Sequence, residues 1–92
     1  MKEYLNNLIF RRSTPRIILA CKDDIVRQCK LRISSYTNTT YSHTVRILKE
    51  LKNNGIIFDE KIGRRCIISL SEKGLKIANM IEKTIDLLNK TD

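Results

Sequence analysis

The chain lacks any apolar run approaching the roughly 18 residues that a membrane-spanning helix needs, so no membrane partner is expected. It has only three glycines and no Gly-rich phosphate loop. A single histidine, His43, and no pair of carboxylates in apolar surroundings leave little catalytic chemistry, and an enzyme is not expected. The cysteines, Cys21, Cys29 and Cys66, are odd in number and form no CxxC pair. A four-ligand zinc site would have to be gathered from positions without ligand spacing, so neither a metal nor another cofactor is expected. The three thiols read as small buried apolar residues in a reducing compartment, with a redox switch left open. Aromatic residues make up only 5% of the chain, too few for an exposed stacking platform, although Tyr41 keeps that idea open. The opening MKEYLNNLIFRRSTPR has an apolar patch too short and too polar for a secretory signal, so the cytoplasm is the expected location.

What is present is a basic, foldable chain. Its 92 residues suit one small domain, and a hydrophobic content of 41% with 30% charged residues describes a packed protein, not a disordered tail. Eighteen Lys and Arg against ten acids leave a net charge of +8. Such an excess fits a polyanionic partner, because neutralised phosphates release condensed counterions, and it also fits plain solubility. A core this thin gains from apolar surface supplied by a second copy.

Leu5, Leu8 and Ile9 recur at helical spacing and predict a short amphipathic helix over about 3–11. Thr14 before Pro15 predicts a hydroxyl N-cap with proline at the first helical position, and RIILACK, apolar on most sides, predicts a buried central helix. Asp23 and Asp24 end it and can cap the next segment. Ile25, Cys29, Ile33 and Tyr36 share a helical face; a helix over about 28–36 is expected, with 25–27 open between helix and brief strand. Thr37 to Thr39 reads as a polar turn, and Thr39 or Thr40 as the cap of the next helix. That helix keeps Val45, Leu48 and Leu51 on one stripe with Ile47 flanking, and it stops at Asn53-Asn54-Gly55, where glycine suits the left-handed residue after a helix end. IIFDE, KIG and RRCIISL predict a β-hairpin. Ser71 then caps a last helix reaching about Asn89, with Glu72 in its first turn and Leu75, Ala78, Ile81, Ile85 and Leu88 as its stripe.

Three helices followed by a hairpin resemble the winged helix-turn-helix fold. TYSHTVRILKELKNNGII, Thr40 to Ile57, is similar to the recognition helix, turn and first wing strand of small archaeal and bacterial winged-helix regulators. ISLSEKGLKIA, Ile68 to Ala78, resembles the second wing strand and the L-(S/T)-x-K-G helix start of MarR-like and PadR-like regulators. KLRISSYTN departs from these families in lacking the Ala or Gly they often carry there. The expected fold class is therefore mainly α with a small β-hairpin (α+β), a winged helix-turn-helix with a long C-terminal dimerisation helix. One domain, 1–92, is expected: an N-terminal helix within 1–12, a core over 14–70 and the last helix over 71–90.

With Val45, Leu48 and Leu51 inward, helix geometry places Ser42, Arg46, Lys49 and Asn53 on one outward stripe, with His43 alongside. The resemblance implies that the start of this helix enters the major groove of double-stranded DNA. Arg46 can fork onto guanine, Lys49 suits a phosphate, and Thr40 and Ser42 can bond phosphate or base. Tyr41 stays open between packing under the turn and offering its ring and hydroxyl, and His43 between solvent and a base. Lys61, Arg64 and Arg65 flank Gly63 at the hairpin tip, a wing of about 60–66 suited to the backbone or minor groove, or to resisting edge-to-edge association.

The apolar set of the last helix, widened by Ile77, Met80 and Leu87, exceeds what a small domain buries. Its first two turns are expected on the domain itself. Ile81, Ile85 and Leu88, with Leu5, Leu8 and Ile9, are expected to meet a second copy. A two-fold homodimer would set two recognition helices about 34 Å apart on a palindromic operator. The expectation is a sequence-specific regulator, a repressor by occupancy. A non-specific architectural or RNA-binding winged helix is the alternative, and a winged helix used only for protein contacts fits the charge less well.

Overall fold

The computed structural model describes residues 13–90; the expected N-terminal helix, with Leu5, Leu8 and Ile9, lies outside the described residues. Four helices and one hairpin follow in the order α1 (Thr14–Ala20), a 3-10 turn (Val26–Gln28), α2 (Lys30–Thr37), α3 (Tyr41–Asn53), β1 (Ile57–Ile62), β2 (Arg65–Leu70) and α4 (Glu72–Asn89). The α+β expectation holds, and the last two boundaries agree with the sequence patterns.

Helix α1 is the hub. It packs against α2, α3 and α4, and its Ile17, Ile18, Ala20 and Cys21 are buried. Ile33 from α2, Ile47, Leu48 and Leu51 from α3, Ile56, Ile57 and Ile68 around the hairpin, and Ala78 from α4 complete a single apolar cluster. The expected cap of α1 shifts by one residue. Ser13 is the N-cap and Thr14 is already helical, because Thr14 is drawn fully into the core. Among the described residues its Oγ1 has no hydrogen-bond partner. A buried hydroxyl without a partner costs about 1–3 kcal/mol, so Thr14→Val, which keeps the shape and removes the hydroxyl, is expected to stabilise the fold by about 1 kcal/mol. A higher urea midpoint at unchanged slope would register it.

Residues 25–37 break the expected helical face. Asp23 Oδ1 accepts from the backbone N–H of Ile25 and Val26 (2.9 and 3.0 Å), which tightens the chain into the 3-10 turn. Cys29 is then extended, and α2 starts at Lys30. The interruption rotates Ile25 and Tyr36 into solvent while Ile33 stays buried.

The hairpin pairs Ile57 with Leu70 through Ile62 with Arg65. Its two-residue loop has a positive φ only at Gly63 (+61°), the first central position, where glycine is free of the Cβ penalty. Arg27 Nη1 donates to Ile68 O and Ser69 Oγ (both 3.2 Å) and so ties β2 to the 3-10 turn. At the start of α4, Ser71 Oγ accepts from Gly74 N (2.9 Å) and donates toward Gly55 O (2.6 Å) and Ile56 O (2.9 Å). Lys22 Nζ reaches Asn79 Oδ1 (2.8 Å) and the Glu82 carboxylate, bracing α4 against the end of α1. Leu75 departs from its expected inward stripe: it is half exposed, and Gly74 and Ala78 make the close contact instead.

Candidate nucleic-acid interface

The α2–α3 turn is held by polar side chains. Asn38 takes the left-handed conformation (φ 54°, ψ 47°) that ends α2. Ser34, buried, donates through Oγ to Thr39 O, and Thr39 Oγ1 donates to Thr37 O (3.2 Å). In KLRISSYTN, which lacks Ala or Gly, the buried Ser34 hydroxyl thus bonds the backbone of the turn. Thr40 is the N-cap of α3: its Oγ1 accepts from His43 N (3.3 Å), and its carbonyl accepts from Thr44 N (2.9 Å).

The inward face of α3 is Thr44, Ile47, Leu48 and Leu51, all buried. It is rotated slightly from the expected stripe, so Ile47 is central and Val45 is only half-buried. The helix packs against α2, β1 and α1, and Ile47 belongs to the core cluster. Ser42, Arg46, Lys49 and Asn53 are exposed, as the outward stripe requires. Arg46 Nη2 donates to His43 Nδ1 (2.8 Å), which selects the Nε2–H tautomer of the imidazole. The pair extends the guanidinium along the outer face one turn into the helix. Lys52 does not join this surface. It forms an ion pair with Asp59 of β1 (2.8 Å), and that hydrogen bond holds the Asp59 carboxyl below the usual carboxylate range.

At the wing, Lys61, Arg64 and Arg65 are all exposed around Gly63. Arg65 Nη1 also donates to Gln28 Oε1 (3.4 Å). Tyr41, 49% exposed, does not pack under the turn; it lines a cleft of about 380 Å³ with Arg64 and Arg65. Lys30 and Arg32, at the start of α2, line the same cleft. Sequence patterns missed these two cations. Their only signal was position: the first helix of a helix-turn-helix crosses the phosphate backbone. The start of α2, the start of α3 and the wing base therefore share one cationic cleft.

Among the described residues no group of three or more His, Cys, Asp and Glu side chains could hold a metal ion, and no helix is long and apolar enough to cross a membrane. Away from the cleft, Met80, Ile85, Leu87 and Leu88 stand exposed on α4. A groove of about 530 Å³ runs there between Pro15 and the Ile77, Met80, Ile81 and Ile85 side chains.

No protein-family model matches the chain, and no curated protein matches it. Solved structures do. The chain is similar to AF1382 of Archaeoglobus fulgidus, with a TM-score of 0.79 and 26% identity over 92% of this chain and 97% of that one. It is similar to MepR, a transcription regulator of the Staphylococcus aureus multidrug efflux pump MepA (TM-score 0.75, 15% identity), over 94% of this chain but only 65% of MepR. It is also similar to S. aureus MepR in its DNA complex (TM-score 0.72, 14% identity), over 97% of this chain and 75% of that one. These likenesses establish the fold as a winged helix-turn-helix.

Proposed function

We propose that the chain is a sequence-specific, double-stranded DNA-binding transcriptional regulator that acts as a homodimer and represses by occupying its operator. One observation carries this reading: Tyr41 at the start of α3 lines one cleft with Lys30, Arg32, Arg64 and Arg65, and Arg46 and Lys49 stand exposed on the same helix, in a fold that MepR also has. Helix α3 would enter the major groove with Ser42, His43 and Arg46 toward base edges, while Thr40, Tyr41 and Lys49 contact the backbone. The wing residues Lys61, Arg64 and Arg65 would follow the adjacent backbone or minor groove. The MepR–DNA complex supports the choice of DNA as partner.

The exposed apolar face of α4 supports the dimer. Ile85 and Leu88 are exposed beyond the part of α4 that packs on its own domain, where the expected contact residue Ile81 is instead half-buried against the core; a second copy would cover the two exposed side chains. Two-fold pairing there would set the reading helices about one DNA turn apart, roughly 34 Å, on a palindromic site. A sedimentation experiment returning a monomer at micromolar concentration would remove the dimer from this proposal.

The decisive experiment is selection of DNA sequences by the purified chain. A palindrome bound at least about 10³-fold tighter than bulk DNA is expected, and equal affinity for all sequences would favour a non-specific architectural role. Arg46→Ala should cost about 1–3 kcal/mol on the selected site and relax sequence preference there. Arg64→Ala should weaken binding to every sequence alike and lower the salt slope by about 1. Comparing both variants on the selected site and on a scrambled duplex separates the two roles.

A further inference from the structure

The cationic cleft holds chemistry that DNA contact does not use. Cys29 and Cys66 both line it, each only half-buried, whereas Cys21 is sealed in the core. The segments bearing the two thiols are already bonded to one another through neighbouring residues: Gln28 accepts from Arg65 (3.4 Å), and Arg27 reaches Ile68 O and Ser69 Oγ. Cys66 lies two residues before buried Ile68 and so shares the inner face of β2, turned toward the helices. The local environments set the three thiols apart. Burial pushes the Cys21 thiol up to about 12, which makes it inert. Cys29 stands at the N-cap of α2 without a capping hydrogen bond of regular geometry. Even so, the backbone N–H groups of Arg32 and Leu31 lower its pKa below the usual thiol value against partial desolvation, and the charges of Arg32 and Arg65 add to the effect.

We propose that Cys29 and Cys66 form a reactive thiol pair, in which a peroxide oxidises Cys29 and Cys66 closes a disulfide that ties the wing base to the start of α2. The Cys29 thiolate attacks one peroxide oxygen; the O–O bond breaks, hydroxide leaves, and Cys29 becomes a sulfenic acid. The Cys66 sulfur then attacks the sulfenic sulfur, the S–O bond breaks, and the departing hydroxide takes the Cys66 proton as water. Two thiols lose two electrons and the peroxide is reduced to water. Arg65 adjoins Cys66 in sequence, and Lys30 and Arg32 follow Cys29 closely, so the bond draws the cations of the cleft into a new arrangement. The expected consequence is an oxidant-dependent, reversible fall in DNA affinity of roughly tenfold, the size of an ordinary coupling between two sites. That consequence rests on the DNA reading; the disulfide does not.

The test exposes the full-length folded chain to hydrogen peroxide and maps its peptides by mass spectrometry, with DNA affinity measured on the same samples. A peptide linked through Cys29 and Cys66 is expected, reversed by dithiothreitol and absent from Cys29→Ser and Cys66→Ser, with Cys21 unmodified. Sulfinic acid at Cys29 with no cross-link, or a cross-link through Cys21, would overturn the pairing. If the cross-link forms but DNA affinity is unchanged, the switch falls and the pair stands. If the reduced protein binds no DNA, the functional reading fails while the peptide map still decides the pair.

Discussion

Gly74→Ala is expected to abolish stable folding, with a loss of at least about 3 kcal/mol and no cooperative melting transition at ordinary temperatures. A Cβ built on Gly74 lies 2.0 Å from the carbonyl oxygen of Ile56 and 3.1 Å from its carbonyl carbon. Both are backbone atoms in a segment that cannot yield. Ile56 is buried, its carbonyl accepts from Ser71 N (3.0 Å) and from Ser71 Oγ (2.9 Å), and its own N–H donates to Leu51 O (3.0 Å). One methyl group would therefore push α4 off the connection between α3 and β1. The Ser71 cap would be lost with it, and Ala78 would be lifted out of the core. Conformational freedom is not what this glycine supplies, since it sits within α4; it is needed for close approach alone. By contrast, Gly63→Ala meets no atom within 4 Å and has only its positive φ to overcome, so it should cost about 1–2 kcal/mol. Circular dichroism melts of the two variants distinguish the cases, and a Gly74→Ala protein that melted like the parent would refute the packing described.

Replacing Lys61, Arg64 and Arg65 together by alanine is expected to lower DNA affinity roughly 10²–10³-fold at about 0.1 M salt, on every sequence alike. The three side chains are exposed at the hairpin tip, and their removal gives up the 3.4 Å contact from Arg65 to Gln28 within the fold. Stability should therefore stay within about 0.5 kcal/mol of the parent. If each cation neutralises one phosphate, the slope of log affinity against log salt should shrink by as much as about 2.7, about 0.9 for each contact removed. Binding titrations at several salt concentrations measure it. An unchanged slope would mean that the wing does not meet the phosphate backbone, and the cationic surface would then reduce to α3 and the start of α2.

The candidate site is partly legible in the sequence. The outward stripe of α3 follows from periodicity alone: once Leu48 and Leu51 are buried, Ser42, Arg46 and Lys49 must face away, because residues three and four apart share a helix face. The wing cations are legible because a glycine at a two-residue turn fixes where a hairpin tip lies. The resemblance of ISLSEKGLKIA to winged-helix regulators locates the start of α4 and its Ser71 cap. Where local signals compete, they misplace details. The hydroxyl at Thr14 resembles a cap, yet the core draws it in and leaves capping to Ser13. The apparent face through Ile25, Cys29, Ile33 and Tyr36 assumes one continuous helix, which the Asp23 side chain interrupts.

By itself, then, the sequence determined the order of the described helices and hairpin, the caps of the last two helices, the hairpin turn, the basic character of the chain and the outward residues of α3, since each depends on residues a few positions apart. Tertiary structure decided the rest. It brought Lys30 and Arg32 of α2 beside Arg64 and Arg65 of the wing, more than thirty residues away, and placed Tyr41 among them. It separated three similar-looking cysteines into one sealed in the core and two at an open cationic cleft. It also showed why position 74 must be glycine, because the atom a side chain would strike belongs to Ile56, eighteen residues earlier. The physical reason is the same in each case: periodicity and capping are written in neighbouring residues, whereas burial, close approach and a shared cleft exist only once distant segments have packed together.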